Sequence, residues 1–178
     1  PVALNSLPQK VDAVNITMGY PLKDIPTTSL FTAIFQLFLT QEKLQKTTVQ
    51  QFYYKDIIRF FRHSSIYPLL QVDKQNIFNE ISIKIAKDND SFISYQQLET
   101  FLNPIESAKK GCLLSIFKPY ESSTEFIHRI LELITLLKEE ANPLEKEYVF
   151  RFYTVFIQLQ NLQTEFNYLQ SLKTIQQF

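Results

Sequence analysis

A chain of 178 residues that is 45% hydrophobic, with 16 Phe and 9 Tyr, carries enough apolar surface for one substantial core, too little length for two, and nothing of a disordered composition. Its 18 basic and 18 acidic residues balance, so net charge gives no pull toward nucleic acid, a lipid surface or an acidic substrate. The only glycines, Gly19 and Gly111, lie far apart, which excludes the clustered-glycine loops of Walker A, dinucleotide-binding and nucleophile-elbow sites.

The first predicted element is a strand. Val14, Ile16 and Met18 alternate with Asn15 and Thr17 before the break at Gly19-Tyr20-Pro21. A strand needs partners for its backbone N–H and C=O groups, and the one candidate within the chain, Gln50–Tyr54, is weak. The strand is therefore expected to belong to a sheet lying mostly outside this chain. Helices are predicted over Thr28–Thr40, Tyr54–His63, Asp73–Lys87 with Asp73 as its cap, Tyr95–Leu102 behind a Ser94 capping box, and Pro104–Phe117 behind Asn103. After Ser122, the positions Phe126, Ile127, Ile130, Leu131, Leu133, Ile134 and Leu137 repeat at helical spacing over about four turns. Beyond Asn142-Pro143-Leu144-Glu145, the seam Val149, Phe152, Phe156, Leu159, Leu162, Phe166 and Leu169 predicts one helix of roughly 25 residues. The fold class is mainly α: a helical bundle of about seven or eight helices with one short strand at residues 14–18.

The opening at Pro1 without an initiator Met, and the close at Phe178 within helix-compatible sequence, read as a segment of a longer protein. Apolar runs such as Leu30–Leu39 are interrupted and fall short of the roughly 20 residues that span a bilayer, so no membrane partner is expected. The single Cys112 excludes an internal disulfide and suits a reducing, cytoplasmic setting.

Active-site chemistry is tested by inventory. Zinc sites need three or four clustered ligands, whereas Cys112, His63 and His128 are scattered. Cys112 stands beside Leu113 and Leu114 as a buried structural thiol, and a Cys-dependent enzyme would rest on it alone; His128 reads as a helix-surface residue. No Asp or Glu has Lys two places downstream, so the acid-x-Lys pattern of a nuclease metal centre is missing from this segment. No catalytic residue, metal or cofactor is expected. What remains is "QFYYKDIIRFFRHSSIYPLL", in which Lys55, Arg59 and Arg62 line one side of a helix. Such a face is ordinarily just solvated; its functional reading is contact with DNA phosphates.

"VNITMGYPLKDIPTTSLFTAIFQLF" followed by "FYYKDIIRFFRHSSIYPLL" resembles the bacterial AddB-like exonuclease subunits of the PD-(D/E)XK nuclease family, which contain an inactivated superfamily 1 helicase fold. The matching positions are Asn15–Leu22 and then Tyr54, Asp56 and Ile57. The resemblance implies that residues 1–22 are strand and linker from a neighbouring RecA-like domain. Residues 23–178 would be a helical accessory domain. It further implies a parent that is an ATP-dependent exonuclease or helicase-like subunit processing double-strand breaks for recombinational repair. The partners would be the rest of that chain, DNA and a helicase subunit, and nothing catalytic carries over to these residues. The alternative is a protein-interaction bundle with no nucleic-acid role.

Overall fold

The computed structural model describes residues 25–44, 50–72, 75–120 and 122–166; the predicted strand at 14–18 and the seam position Leu169 lie outside them. The mainly α expectation holds. Seven α-helices carry the architecture: α1 (Pro26–Leu44), α2 (Tyr54–Phe61), α3 (Ile77–Asp88), α4 (Tyr95–Phe101), α5 (Ser107–Ser115), α6 (Ser123–Glu140) and α7 (Pro143–Phe166). The expectation that 14–18 would be the one strand is corrected, because four short strands occur among the described residues: β1 (Gln51–Tyr53), β2 (Gln71–Val72), β3 (Gln75–Asn76) and β4 (Phe92–Ser94).

Gln50–Tyr54, considered above as a partner for the upstream strand, has a different one. β1 pairs antiparallel with β4, Phe52 opposite Ile93, and β2 pairs with β3. Phe52 and Ile93 are 1% exposed, so the bridge sits on the core rather than at a solvent edge. β1 and β4 each run directly into a helix, α2 and α4. Tyr54 N–H donates to Ser91 O at 3.1 Å and Tyr95 N–H to Gln50 O at 3.4 Å, extending the ladder at both ends.

Capping chemistry sets most helix starts. Ser94 and Gln97 form a full capping box at α4, and Ser122 Oγ accepts from Glu125 N–H at α6. At α7, Glu145 N–H donates to Asn142 Oδ1 and Asn142 N–H to Glu145 Oε2. Two expected starts are corrected. α3 begins at Ile77 under Asn76, whose side chain accepts from Asn79 N–H, while Asp73 lies outside the described residues. α5 begins at Ser107 with Glu106 as its cap residue, not at Pro104, because Leu102–Ile105 closes as a turn after α4 and Asn103 Oδ1 is taken by the Lys110 ammonium.

α6 and α7 form an antiparallel hairpin, joined through Ala141 and Asn142, with the most extensive helix–helix interface in the structure. Every apolar position predicted for α6 is buried. On α7 the seam holds through Leu159 and then drifts, with Leu162 37% exposed and Gln163 buried in its place. Consecutive steps of three residues swing the side chain about 60° each off a 3.6-residue seam, whereas a step of four from Leu159 to Gln163 stays on it. Phe31 of α1 packs on Phe152 and Phe156 of α7 (4.8 and 5.1 Å between ring centroids), and Phe35 and Phe38 pack on Phe126 of α6.

Two residues lock the middle of the chain. Phe117, just after α5, meets Phe52, Phe60 and Phe61 at 5.1, 5.5 and 5.6 Å. The Arg129 guanidinium donates to the carbonyl oxygens of Ser115, Lys118 and Pro119 and pairs with Glu125, closing the end of α5 onto α6.

Phe117→Ala leaves a cavity under the β1–β4 bridge and is expected to destabilise the fold by about 3–5 kcal/mol. Urea unfolding followed by circular dichroism measures this, and a loss below about 1 kcal/mol would contradict the role given to Phe117.

Candidate functional site

α1 and α2 cross so that their exposed sides leave an open groove of about 940 Å³. Its apolar floor includes Ile25, Ala33 and Ile58, and its polar wall on α1 consists of Thr28, Ser29 and Thr32. The opposite wall is Lys55, Arg59 and Arg62. The three basic residues singled out in the sequence therefore line one groove and are exposed to solvent. Helical spacing puts them on one side of α2, because its other side is committed to the core through Ile57, Phe60 and Phe61, each fully buried.

Among the described residues no acidic side chain lines this groove. The one acid on α2, Asp56, is 5% exposed and lies 3.6 Å from Arg59, contributing to the first turn of the helix rather than to the groove. Its Oδ2 is buried without a hydrogen-bond partner. The Lys55 ammonium stands over the rings of Tyr53 and Tyr54 at 5.8 and 5.9 Å. Its hydrogen bond to Tyr53, followed by the charges of both tyrosines, raises its pKa above the ordinary lysine value, so it stays cationic throughout the neutral range. Arg59 and Arg62 add two guanidinium groups to the same wall. The result is a local positive wall on a chain of zero net charge.

Sequence reasoning missed His63. It closes one end of the groove, and its Nε2 lies 3.0 Å from Pro26 O and 2.9 Å from Ser29 Oγ, while Ser65 N–H donates to Nδ1. Since Nδ1 accepts, the proton sits on Nε2, donated toward Pro26 O and Ser29 Oγ, and the ring is neutral. The imidazole thus pins the first turn of α1 to the end of α2. Burial lowers its pKa, outweighing the raising effect of the Pro26 carbonyl. A signal was present in the sequence only as "RFFRH", which places a histidine beside the basic row without saying what it touches.

The remaining candidates stay apart. His128 is on the surface of α6, 3.5 Å from Glu132. Cys112 is half-buried, and burial, with Glu132 as a smaller cause, pushes its thiol up to about 11, the opposite of an activated nucleophile. Among the described residues no three of His, Cys, Asp and Glu come close enough to hold a metal, and no helix is long and apolar enough to cross a membrane. Of the residues carrying the family resemblance, Tyr54, Asp56 and Ile57 form the first turns of α2, and Asn15–Leu22 lie outside the described residues.

Comparisons of this chain with protein-family models, curated proteins and solved structures returned no match.

His63 has a folded-state pKa below its unfolded value near 6.5, so its contribution to stability is fully present above that pH and is lost as pH falls through the lower folded value. Urea midpoints of the wild type are expected to drop more steeply below pH 6.5 than those of His63→Gln, and parallel curves would refute the pin. Cys112 is expected to resist alkylation at pH 7 in the folded chain and to react readily once unfolded; rapid labelling of native protein would overturn that assignment.

Proposed function

We propose that this chain is a non-catalytic helical binding module whose working surface is the groove between α1 and α2, and whose ligand is the phosphate backbone of DNA. The observation that carries this reading is the convergence of Lys55, Arg59 and Arg62 on one groove that, among the described residues, no carboxylate lines. Guanidinium groups match phosphate oxygens two at a time, and the facing wall, where the Ser29 and Thr32 hydroxyls donate to the carbonyl oxygens of Pro26 and Thr28, carries no charge to oppose them. Contacts of this kind position a nucleic acid without reading its bases, so the module would be indifferent to sequence. The resemblance to AddB-like exonuclease subunits supports DNA over other polyanions. In that reading the module works beside a RecA-like layer and a helicase partner in break processing, and contributes no chemistry of its own.

A protein-interaction bundle is the second reading, favoured by a specific feature of α7. Phe150 and Tyr153, three residues apart, are 48% and 37% exposed, and the Lys138 ammonium lies 5.8 Å from the Phe150 ring. Aromatic groups presented this way are the usual anchors of protein interfaces.

Fluorescence anisotropy with a labelled single strand separates the two. Three phosphate contacts give a log–log salt slope of about −2, so affinity is expected to fall roughly 15–20-fold between 50 and 200 mM salt. Lys55→Glu with Arg62→Glu is expected to abolish binding while leaving the melting temperature unchanged. Absence of binding at about 50 mM salt, or binding that survives both charge reversals, would reject the groove as a DNA site.

A further inference from the structure

The β1–β4 pairing is locally two-fold symmetric, and in the chain each strand is flanked by two helices, as α1–β1–α2 and α3–β4–α4. Phe52 opposes Ile93 at its centre, and the paired bonds from Tyr54 to Ser91 and from Tyr95 to Gln50 flank it symmetrically. Two helix–strand–helix units joined by a short antiparallel bridge have the architecture of a calcium-binding EF-hand pair. A calcium loop in that arrangement carries oxygen ligands at its first, third, fifth, seventh, ninth and twelfth positions, with glycine at the sixth and a bidentate glutamate at the twelfth.

The residues do not fit the ion. Asp56 and Gln97 are equivalent under the two-fold and stand in the first turn of α2 and α4, where the twelfth ligand belongs. Counting back along the described residues places Tyr53 at the ninth position of the first unit and Gln50 in place of glycine, while the first five positions lie outside the described residues. Asp56 is then its single carboxylate, and the Gln51 carbonyl, at the seventh position, already accepts from Gln41 Nε2 at 3.1 Å. The second unit has Ala86, Asp88, Asp90, Ser94 and Gln97, with Ser91 in place of glycine. Asp88 is the last residue of α3 and pairs with Lys84 at 2.7 Å, while Gln97 Oε1 is spent on Ser94 N–H. The turn is made by Asn89, at φ 53, rather than at the glycine position, which shortens the connection to residues 89–91.

Protein contacts stand in for the ion. The bridge is anchored from below by Phe117 on Phe52 and capped at α4 by Ser94 and Gln97. The apolar face that a sensor pair exposes when calcium opens it is covered here within the chain, where Phe126 of α6 meets Phe35 and Phe38, and Phe152 and Phe156 of α7 meet Phe31.

We propose that Pro26–Phe101 is an EF-hand-type pair that assembles without calcium and is permanently closed by α6 and α7, so that whatever this chain binds is bound independently of calcium. The proposal concerns the scaffold and does not depend on the ligand assigned to the groove.

Two measurements on the whole chain test it. Thermal unfolding in about 5 mM calcium and in chelator is expected to give the same midpoint within a degree, with no saturable heat of binding by calorimetry; a Kd tighter than about 1 mM, with a midpoint raised by several degrees, would overturn the proposal. The amide protons of Tyr54 and Tyr95 are expected to exchange at one slow rate in both buffers, and an acceleration of about tenfold or more in chelator would show that the bridge needs the ion.

Discussion

Three residues of β1 paired with three of β4 govern the placement of four helices, because α2 and α4 begin where the strands end and α1 and α3 precede them in the chain. So short a ladder has no independent stability in water. It persists because its central residues, Phe52 and Ile93, are buried, so that breaking the backbone bonds would also expose the apolar layer beneath. Phe117 transmits this constraint to the second half of the molecule. Its ring touches β1 and α2 together, and the segment bearing it is tied to α6 through Arg129.

The groove is a by-product of the same arrangement. With one side of α2 facing the core, the basic row at Lys55, Arg59 and Arg62 is turned outward, and the His63 contact to Pro26 brings the hydroxyl-bearing start of α1 against it. A protein with no net charge acquires a local field in this way, since like charges gathered on one wall are not cancelled by acids placed on other surfaces.

Much of this was legible in the sequence where the physics is local. Ser94, Ser122 and Asn142 announce helix starts because a capping side chain needs only its own next three residues, and the full apolar face of α6 follows from its spacing. The basic row was legible for the same reason. What failed was non-local. The strand pairing of Phe52 with Ile93 joins residues far apart in the chain, and "QFY" and "FIS" are too short to show an alternating pattern. Asn103-Pro104 has the composition of a helix start yet sits in a turn, because Lys110 claims the asparagine oxygen that would have been the cap. The role of His63 depends on a partner on another helix, which no window of sequence contains.

Arg129 grips its neighbours through main-chain oxygens alone on the α5 side, at Ser115, Lys118 and Pro119. Every residue offers the same carbonyl, so this clasp is blind to side-chain identity. The outward-facing positions of the 115–119 corner are accordingly open to drift in composition, while the arginine is not replaceable even by lysine, whose ammonium lacks the planar fork needed to reach three acceptors at once.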